Sequence, residues 1–375
     1  MKFVVSSTEL LTRLQSVSRV ISSKNSLPIL DNFLFILKDG TLSITASDLE
    51  TTLKTKMLIE NISEEGEITV PAKLLVDSLR EFADQPLEFK TNDSCSILDI
   101  TWASGNAKLP CTTSDDYPSV PELSENYTTI SINSHVLLEG INRTLYATAE
   151  EELRPVMNGI FFDIDNSSST LVASDAHKLV CYTRHDIKSD NKSSFILPKK
   201  PSSVLKNILG KGDEDVVIRF DSRNATFEFE SFNLICRLVE GNYPAYKSVI
   251  PKNNTNKLVI NRLDLLNSAR RVAVCSNQAS SQVRLKLTYN TLTLSAQDLD
   301  FSISANENLI CQYEGDNMEI AFKSTFLIEI LSNLPYTDIS LELSDPSRAA
   351  LILAAGPVDP QEEILALIMP MMVNA

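Results

Sequence analysis

The sequence predicts a protein of mixed strands and helices, built as three copies of one domain. Three apolar stretches end in a similar way, with a final aspartate: Gly40–Asp48, Ser169–Asp175 and Asn290–Asp298. The aspartates lie 127 and 123 residues apart, and a second set of similar stretches, around Pro71, Pro198 and Phe322, keeps nearly the same spacing. A repeat of this length is too long for a propeller blade and matches a whole domain.

Each predicted copy begins with a short strand and an amphipathic helix. In the first copy the strand covers Lys2–Val5, and Leu10, Leu14 and Val17 recur at the spacing of one helix face. We expect Ser7 or Thr8 to cap this helix, because a hydroxyl there accepts a bond from a free backbone N–H. The equivalent strands are predicted at Thr129–Ile132 and Lys257–Ile260, and the equivalent helices at Ser134–Ala149 and Arg262–Ser276.

A hairpin and a second helix complete each copy. Phe33–Leu37 and Leu42–Ala46 flank an Asp-Gly turn, which is a strong hairpin signal between alternating apolar residues. Second helices are predicted at about 71–83, 199–209 and 324–334. Tyr-Pro segments end the first two copies, so the predicted domains are 1–127, 128–253 and 254–375.

Composition places the chain among ordinary globular proteins. It has 375 residues, of which 43% are hydrophobic and 22% charged, enough to bury three cores. The six cysteines are scattered without metal-binding spacing, which favours reduced thiols and predicts neither a metal site nor a cofactor. The start lacks a signal-like apolar stretch, and no apolar run approaches the length of a membrane span, so we expect a cytoplasmic protein with no membrane partner.

The charge is unevenly distributed. A net charge of −15 argues at first against a polyanionic partner, yet the predicted helices carry twelve Lys and Arg against six Asp and Glu. One interpretation is the ordinary solvated face of an amphipathic helix. The other is that three copies in a row follow an arc, with helices on the concave side attracting a phosphate backbone without reading bases.

Four motifs together resemble the family of bacterial sliding clamps, the beta subunit of DNA polymerase III. They are Leu27–Asn32 with Ala46–Glu50, Met157–Gly159 with Ala173–Leu179, Val239–Tyr246, and Ile368–Met371. The resemblance implies the α+β DNA clamp fold, in which each of three domains packs two helices on antiparallel sheets. It also implies a head-to-tail homodimer that encircles double-stranded DNA and tethers the DNA polymerase III catalytic subunit, the clamp loader, and other replication and repair polymerases.

The same resemblance implies a pocket for short apolar peptides of these partners. It maps onto Met157, Ser174, Ala176, His177, Lys178, Leu179, Pro244, Val249, Leu367, Ile368, Met369, Pro370 and Met371. Methionine is flexible and polarizable, which suits a surface that accepts several ligands in turn. The alternative is that these apolar residues only fill a core. Ser248 and Ser280 replace larger side chains common in the family, which predicts a different peptide preference.

The resemblance also implies which residues face DNA and which lie at the subunit interface. The DNA-facing set is Arg13, Lys24, Lys73, Arg80, Arg143, Lys199, Lys200, Lys206, Arg270 and Arg271. The interface is predicted to pair an edge strand of the first domain, with Ala107 and Leu109, and one of the third domain, flanked by Val274 and Cys275. An unpaired strand edge is a template for another chain.

Two other classes of function fit the sequence less well. An enzyme is disfavoured because Asp48, Asp175 and Asp298 fall in different copies, where each most simply caps a turn, and no nucleotide-binding or nucleophile motif is present. The acidic run Glu150–Glu152 is the other carboxylate cluster. A repeat scaffold that binds only proteins would fit the pocket but would leave the basic helices unexplained.

Overall fold

The computed structural model describes residues 1–151, 153–189, 191–210 and 213–372. The chain divides into two compact units, each of which gathers two separate stretches. The first unit contains Met1–Leu138 and Lys200–Leu238, and the second contains Glu139–Lys199 and the described chain from Val239 onward. The middle predicted copy thus contributes to both units, and the predicted domain boundaries stay a prediction.

Six α-helices occur among the described residues, two in each predicted copy. They are α1 Ser7–Val17, α2 Ala72–Arg80, α3 Ser134–Thr144, α4 Lys199–Ile208, α5 Arg262–Ala273 and α6 Ser324–Asn333. Helices α3 and α5 are shorter than predicted, and a single tight turn, Leu145–Ala147, follows α3. No helix in the described part of the chain is long and apolar enough to span a membrane.

The predicted cap of the first helix is wrong by one residue. Ser6 is the N-cap, and its hydroxyl oxygen accepts the backbone N–H of Glu9 at 3.3 Å. Ser7 is buried instead, and its hydroxyl donates to the carbonyl of Ala83 at 2.9 Å. Three hydroxyl residues in a row can each serve as a cap, and the tertiary bond of Ser7 selects Ser6.

The strands of the three predicted copies follow the same plan. The first copy contains β1 Lys2–Ser6, β2 Asn32–Lys38, β3 Thr41–Ser47, β4 Thr51–Leu58, β5 Asn61–Glu64, β6 Gly66–Pro71, β7 Pro86–Thr91, β8 Ile97–Trp102 and β9 Gly105–Pro110. The second contains β10 Thr128–Asn133, β11 Gly159–Ile164, β12 Ser169–Ser174, β13 Lys178–Arg184, β14 Ser193–Pro198, β15 Asp215–Phe220, β16 Asn224–Phe229 and β17 Phe232–Arg237. The third contains β18 Asn256–Asn261, β19 Gln282–Thr288, β20 Thr291–Asp298, β21 Ile303–Ile310, β22 Gln312–Glu314, β23 Met318–Lys323, β24 Asp338–Leu343, β25 Ala350–Ala354 and β26 Glu362–Ile368.

The first unit contains two antiparallel sheets. One has the strand order β5-β1-β7-β8-β9, and the other β10-β15-β16-β17-β4-β3-β2-β6. The predicted hairpin is confirmed, since Leu37 lies opposite Leu42 where β2 pairs with β3. Strand β17 pairs with β4, so a strand of the second copy lies beside a strand of the first. Helices α1 and α2 pack against each other, and α1 also contacts β3 and β4.

The second unit is built in the same way. Its sheets have the strand orders β14-β11-β12-β13-β26-β25-β24-β18-β22 and β21-β20-β19-β23. Strand β13 of the second copy pairs with β26 of the third over seven residues, from Lys178 opposite Ile368 to Arg184 opposite Glu362. Helices α5 and α6 pack against each other. The pairing of β13 with β26 positions the candidate site.

Candidate functional site

An apolar cavity of about 510 Å³ lies in the second unit. Four parts of the chain line it: the turn at 154–157, the turn between β12 and β13, the segment 243–249 and the end of β26. The lining residues are Arg154, Met157, Ser174, Ala176, Lys178, Leu179, Tyr243, Pro244, Ala245, Tyr246, Ser248, Val249, Leu367 and Met369.

The floor of the cavity lies where β13 meets β26. Leu179 and Leu367 are directly opposite each other in this pair, and each is 3% exposed. Alternate residues of a strand point to the same face, so β13 brings Leu179 and Cys181 into one buried cluster with Leu351. Burial raises the pKa of the Cys181 thiol to about 12, so this cluster stays uncharged at neutral pH.

The segment 243–249 forms one wall. Tyr243 stacks on Phe161, with ring centres 4.6 Å apart and planes 3° from parallel. The Tyr246 hydroxyl donates to Asp163 Oδ2 at 2.8 Å. These contacts fix two aromatic rings beside the cavity, while Val249, at 57% exposed, stands at its mouth. Burial raises the pKa of both tyrosines, which therefore remain neutral at neutral pH.

An aspartate holds the turn between β12 and β13. Asp175 Oδ1 accepts the backbone N–H groups of His177 at 2.9 Å and Lys178 at 2.8 Å, while Ala176 adopts a left-handed φ of 72°. Asp48 and Asp298 accept the N–H groups two and three residues ahead in the same way. The prediction that each repeated aspartate caps a turn is confirmed.

Lys178 lines the cavity with its charge already paired. Its side chain is 5% exposed, and its Nζ lies 2.6 Å from Asp175 Oδ2 and 3.0 Å from Glu329 Oε2. The same ammonium lies 4.4 Å from the centre of the Phe326 ring. Burying an ammonium is costly unless it is paired. Two carboxylates and an aromatic face offset this cost, so the cavity wall remains apolar in character.

The chain after β26 is fastened on both sides of Pro370. The N–H of Met369 donates to the carbonyl of His177 at 2.8 Å, and the N–H of Met371 donates to that of Ala321 at 2.7 Å. Met369 is 40% exposed and lines the cavity. The apolar end of the sequence is therefore divided between a packed strand and an accessible methionine at the cavity mouth.

Nine of the thirteen predicted pocket residues line this cavity: Met157, Ser174, Ala176, Lys178, Leu179, Pro244, Val249, Leu367 and Met369. The other four do not. His177 is exposed and stacks on Phe326 with ring centres 5.5 Å apart, and Ile368 is fully buried. Pro370 and Met371 follow the strand and are half-buried. A role in peptide binding stays a prediction for all thirteen.

Sequence reasoning missed four lining residues, Arg154, Tyr243, Ala245 and Tyr246. Three of them stand in the Tyr-Pro-Ala-Tyr motif at 243–246, which marks a predicted domain boundary and carries part of the family resemblance, although only its Pro244 was predicted to line the pocket. Ser248, noted for its small side chain, lines the cavity. Ser280 instead lines a separate polar depression of about 500 Å³ with Asn277, Gln297 and Asn306.

Five of the ten basic residues predicted to face DNA are paired with carboxylates. Lys199 pairs with Glu150, Lys200 with Asp48, Arg271 with Glu307, Arg80 with Asp77 at 3.2 Å, and Arg143 with Glu139 at 2.6 Å. Arg143 also donates to the carbonyl of Asn333 at 2.8 Å, and Arg13 hydrogen-bonds Ser231 and lies over the Phe232 ring. Lys24, Lys73, Lys206 and Arg270 are exposed. Overall the six helices carry ten Lys and Arg against five Asp and Glu.

The acidic run near α3 is engaged in local ion pairs. Glu150 binds Lys199, and Glu151 lies 4.0 Å from Arg154. Glu152 lies outside the described residues. These two carboxylates therefore neutralise neighbouring cations.

Two of the predicted interface residues lie on an edge strand, and the other two follow a helix that packs against another edge strand. Ala107 and Leu109 belong to β9, the last strand of its sheet, and Leu109 is buried. Val274 and Cys275 follow α5, which packs against β20 and β21, and β21 is the last strand of its sheet. Val274 is exposed, whereas Cys275 is half-buried.

The comparisons with known proteins agree along the whole chain. Models of the N-terminal, central and C-terminal domains of the DNA polymerase III beta subunit match residues 1–121, 131–245 and 247–372. A beta sliding clamp of Proteus mirabilis is 30% identical over 92% of this chain and 94% of its own length. The chain belongs to the DNA polymerase III beta subunit family. A beta sliding clamp of Pseudomonas aeruginosa is 28% identical over 99% of this chain and all of its own length.

Solved structures of beta sliding clamps share the fold. A clamp from Pseudomonas aeruginosa, bound to griselimycin, has a TM-score of 0.93 at 28% identity, with both chains covered in full. A beta subunit from Thermotoga maritima has a TM-score of 0.90 at 26% identity, again over both full chains. The predicted α+β DNA clamp fold of three repeated domains is therefore confirmed.

Proposed function

We propose that this chain is a DNA sliding clamp, a processivity factor that encircles double-stranded DNA without reading its sequence. Membership of the beta sliding clamp family along the whole chain is the observation that carries the proposal. The clamp acts in the cytoplasm, needs no cofactor and catalyses no reaction. Its three domains are those predicted from the repeats, at 1–127, 128–253 and 254–375.

The ring is a head-to-tail homodimer. In each of its two interfaces, β9 of one subunit pairs with β21 of the other, flanked by Ala107 and Leu109 on one side and by Val274 and Cys275 on the other. The support is that both strands end their sheets, because an edge strand offers a row of free N–H and C=O groups. A heterologous contact of this kind closes when the rotation permits it.

The ring holds DNA through charge and topology. Lys24, Lys73, Lys206 and Arg270 are exposed members of the predicted DNA-facing set that lie outside the ion pairs described above, and they attract phosphates by counterion release. The ion-paired members of that set contribute less, because their charge is already offset. With a net charge of −15, the rest of the surface repels nucleic acid, which favours sliding over tight binding.

The apolar cavity tethers the partners. The DNA polymerase III catalytic subunit, the clamp loader, and other replication and repair polymerases each insert a short apolar peptide in turn. Its floor at Leu179 and Leu367 is buried and packed, whereas the exposed Met369 at the mouth has a flexible side chain that accepts ligand groups of different shapes.

Loading on a plasmid tests the proposal. A clamp loader places the protein on a circular nicked plasmid, and retention is followed by gel filtration in high salt. We expect the protein to stay on the intact circle and to leave within minutes of linearisation by a restriction enzyme, because a ring slides off an end. A mock digest without enzyme is the control. Equal release from circular and linear DNA would rule out encirclement.

The same experiment distinguishes the sliding clamp from the alternative, a non-catalytic protein-binding scaffold of three repeats that does not encircle DNA. A scaffold binds polymerase peptides through the cavity but is not retained on the circle. Simple phosphate contacts would also be lost in high salt, with a slope of about −0.9 per neutralised phosphate.

A further inference from the structure

The hydrogen-bonding pattern fixes which backbone groups of β9 face its open side. The N–H of Cys111 donates to the carbonyl of Ser96 at 3.1 Å, and these two residues continue the register in which Ile97 lies opposite Pro110. Bonded and non-bonded pairs alternate along an antiparallel ladder. The bonded residues are therefore 105, 107, 109 and 111, and the residues with outward backbone groups are Asn106, Lys108 and Pro110.

This edge carries two features that discourage pairing. Proline has no backbone N–H, so Pro110 offers only its carbonyl to a neighbouring strand. Lys108 places an exposed cation at the middle of the edge, with its Nζ 3.7 Å from Asp99. Lysine and proline at strand edges are devices by which proteins avoid pairing with the wrong edge. Because Asp99 offsets part of the charge of Lys108, Pro110 is the stronger obstacle to strand pairing.

The open side of β21 lacks such features. The N–H of Cys311 donates to the carbonyl of Asn290 at 3.3 Å, in register with Thr291 opposite Ile310. By the same alternation, the outward residues are Ser304, Asn306, Asn308 and Ile310. All four offer both an N–H and a carbonyl, and none carries a charge. Glu307, whose backbone groups face β20, forms an ion pair with Arg271 through its side chain.

We propose that Lys108 and Pro110 prevent β9 from pairing with a second β9, so that a second copy of this chain must approach with β21. The inference rests on the ring proposed above and explains its head-to-tail order. Two β9 strands related by a two-fold axis bring two prolines into one ladder and lose two donors. They also place the two Lys108 side chains opposite each other or on the adjacent diagonal, where like charges are unfavourable. A β9–β21 pair loses one donor and sets Lys108 against uncharged side chains.

The test removes the preferred edge and asks whether β9 can pair with itself. Asn306→Pro deletes an outward N–H of β21 and leaves the inward ladder bonds to β20 intact, while Asn306→Ala keeps that N–H and serves as the control. Both are combined with Lys108→Thr and Pro110→Thr in the full chain. Dimer dissociation constants come from analytical ultracentrifugation, and circular dichroism checks folding. If Asn306→Pro is unfolded, Asn308→Pro takes its place.

We expect Asn306→Pro alone to weaken the dimer at least about tenfold relative to Asn306→Ala. Adding Lys108→Thr and Pro110→Thr then restores association on the order of tenfold, because two ladder bonds and a charge clash are corrected in each β9–β9 pair. Hydrogen exchange of the restored dimer shows protection at Asn106 and none at Ser304.

Two results would count against this reasoning in different ways. If Asn306→Pro is monomeric and stays monomeric after the two threonine substitutions, Lys108 and Pro110 are not what prevents β9 from pairing with a second β9. The proposed ring interface is unaffected by that result. If Asn306→Pro dimerises as tightly as Asn306→Ala, β21 is not in the interface. That outcome removes the ring interface of the proposed function together with the inference.

Discussion

Peptide binding should depend on the two accessible apolar residues at the cavity mouth. Val249 is 57% exposed and Met369 is 40% exposed, so a bound peptide has apolar surface left to cover on both. Full burial of such a side chain contributes about 1.5–3 kcal/mol, so covering the exposed share contributes about 1 kcal/mol at each position. Val249→Ala or Met369→Ala should therefore weaken binding about fivefold. The double variant should lose about 2 kcal/mol, or about 30-fold, if the contributions add.

These positions are better probes than the cavity floor. Leu367 is 3% exposed, and Leu367→Ala would open a void in the core, lowering the free energy of unfolding by about 2–5 kcal/mol. A loss of peptide binding in that variant would then report damage to the fold. Substitutions at Val249 and Met369 remove surface that is already in contact with water, so the fold is retained.

Fluorescence anisotropy measures the effect directly. Labelled short peptides tiling the DNA polymerase III catalytic subunit are screened, and the tightest is titrated with wild type and variants. Leu58→Ala, which truncates a 79% exposed residue of the first unit, is the matched control and should bind like wild type. Unchanged affinity in the folded double variant would show that partners do not use this cavity.

Three further outcomes are expected. Asp175→Ala removes two backbone bonds and a carboxylate partner of Lys178, and urea unfolding should show a loss of about 2–3 kcal/mol in the free energy of unfolding; little change would refute the role of this carboxylate in holding both the turn and the ammonium. Arg270→Ala should reduce the salt slope of DNA binding by about 0.9, whereas Arg271→Ala, whose charge is shared with Glu307, should change it less; equal slopes would refute the distinction. Hydrogen bonds from Ser167 lower the pKa of Asp165 from 3.8 to about 2, so its stabilisation is complete above about pH 4 and is lost as the pH falls toward 2. Asp165→Asn should therefore lower stability to urea at neutral pH, and the difference from wild type should shrink on acidification; a constant difference would contradict the linkage.

Local sequence patterns correctly predicted the elements that are determined by interactions between nearby residues. The Asp-Gly turn and alternating apolar residues are sufficient to specify the β2–β3 hairpin, and Asp48, Asp175 and Asp298 cap turns because their carboxylates reach N–H groups two and three residues ahead. The start of α1 was harder to place, since the choice among three hydroxyls depends on Ala83, distant in the sequence.

The candidate site shows the same division. The resemblance placed Leu179, Leu367 and Met369 in one pocket, but Tyr243 and Tyr246 enter the lining through contacts with Phe161 and Asp163 that no periodic pattern encodes. Side-chain ion pairs are equally hidden from composition. Counting cations on helices could not reveal that Arg271 is bound to Glu307, because the partner lies on a strand that only tertiary packing brings near.

The pairing of β13 with β26 has a consequence for folding during synthesis. These strands lie 178 positions apart, from Arg184 to Glu362, and the emerging polypeptide grows at roughly 5–20 residues per second. Roughly 10–35 seconds therefore pass on the ribosome before β13 acquires its neighbour. During that interval one edge of the apolar strand β13 has free backbone N–H and C=O groups. Such an exposed edge promotes aggregation and binding by chaperones. Translation pauses or truncation before residue 362 should be especially harmful to the yield of this chain.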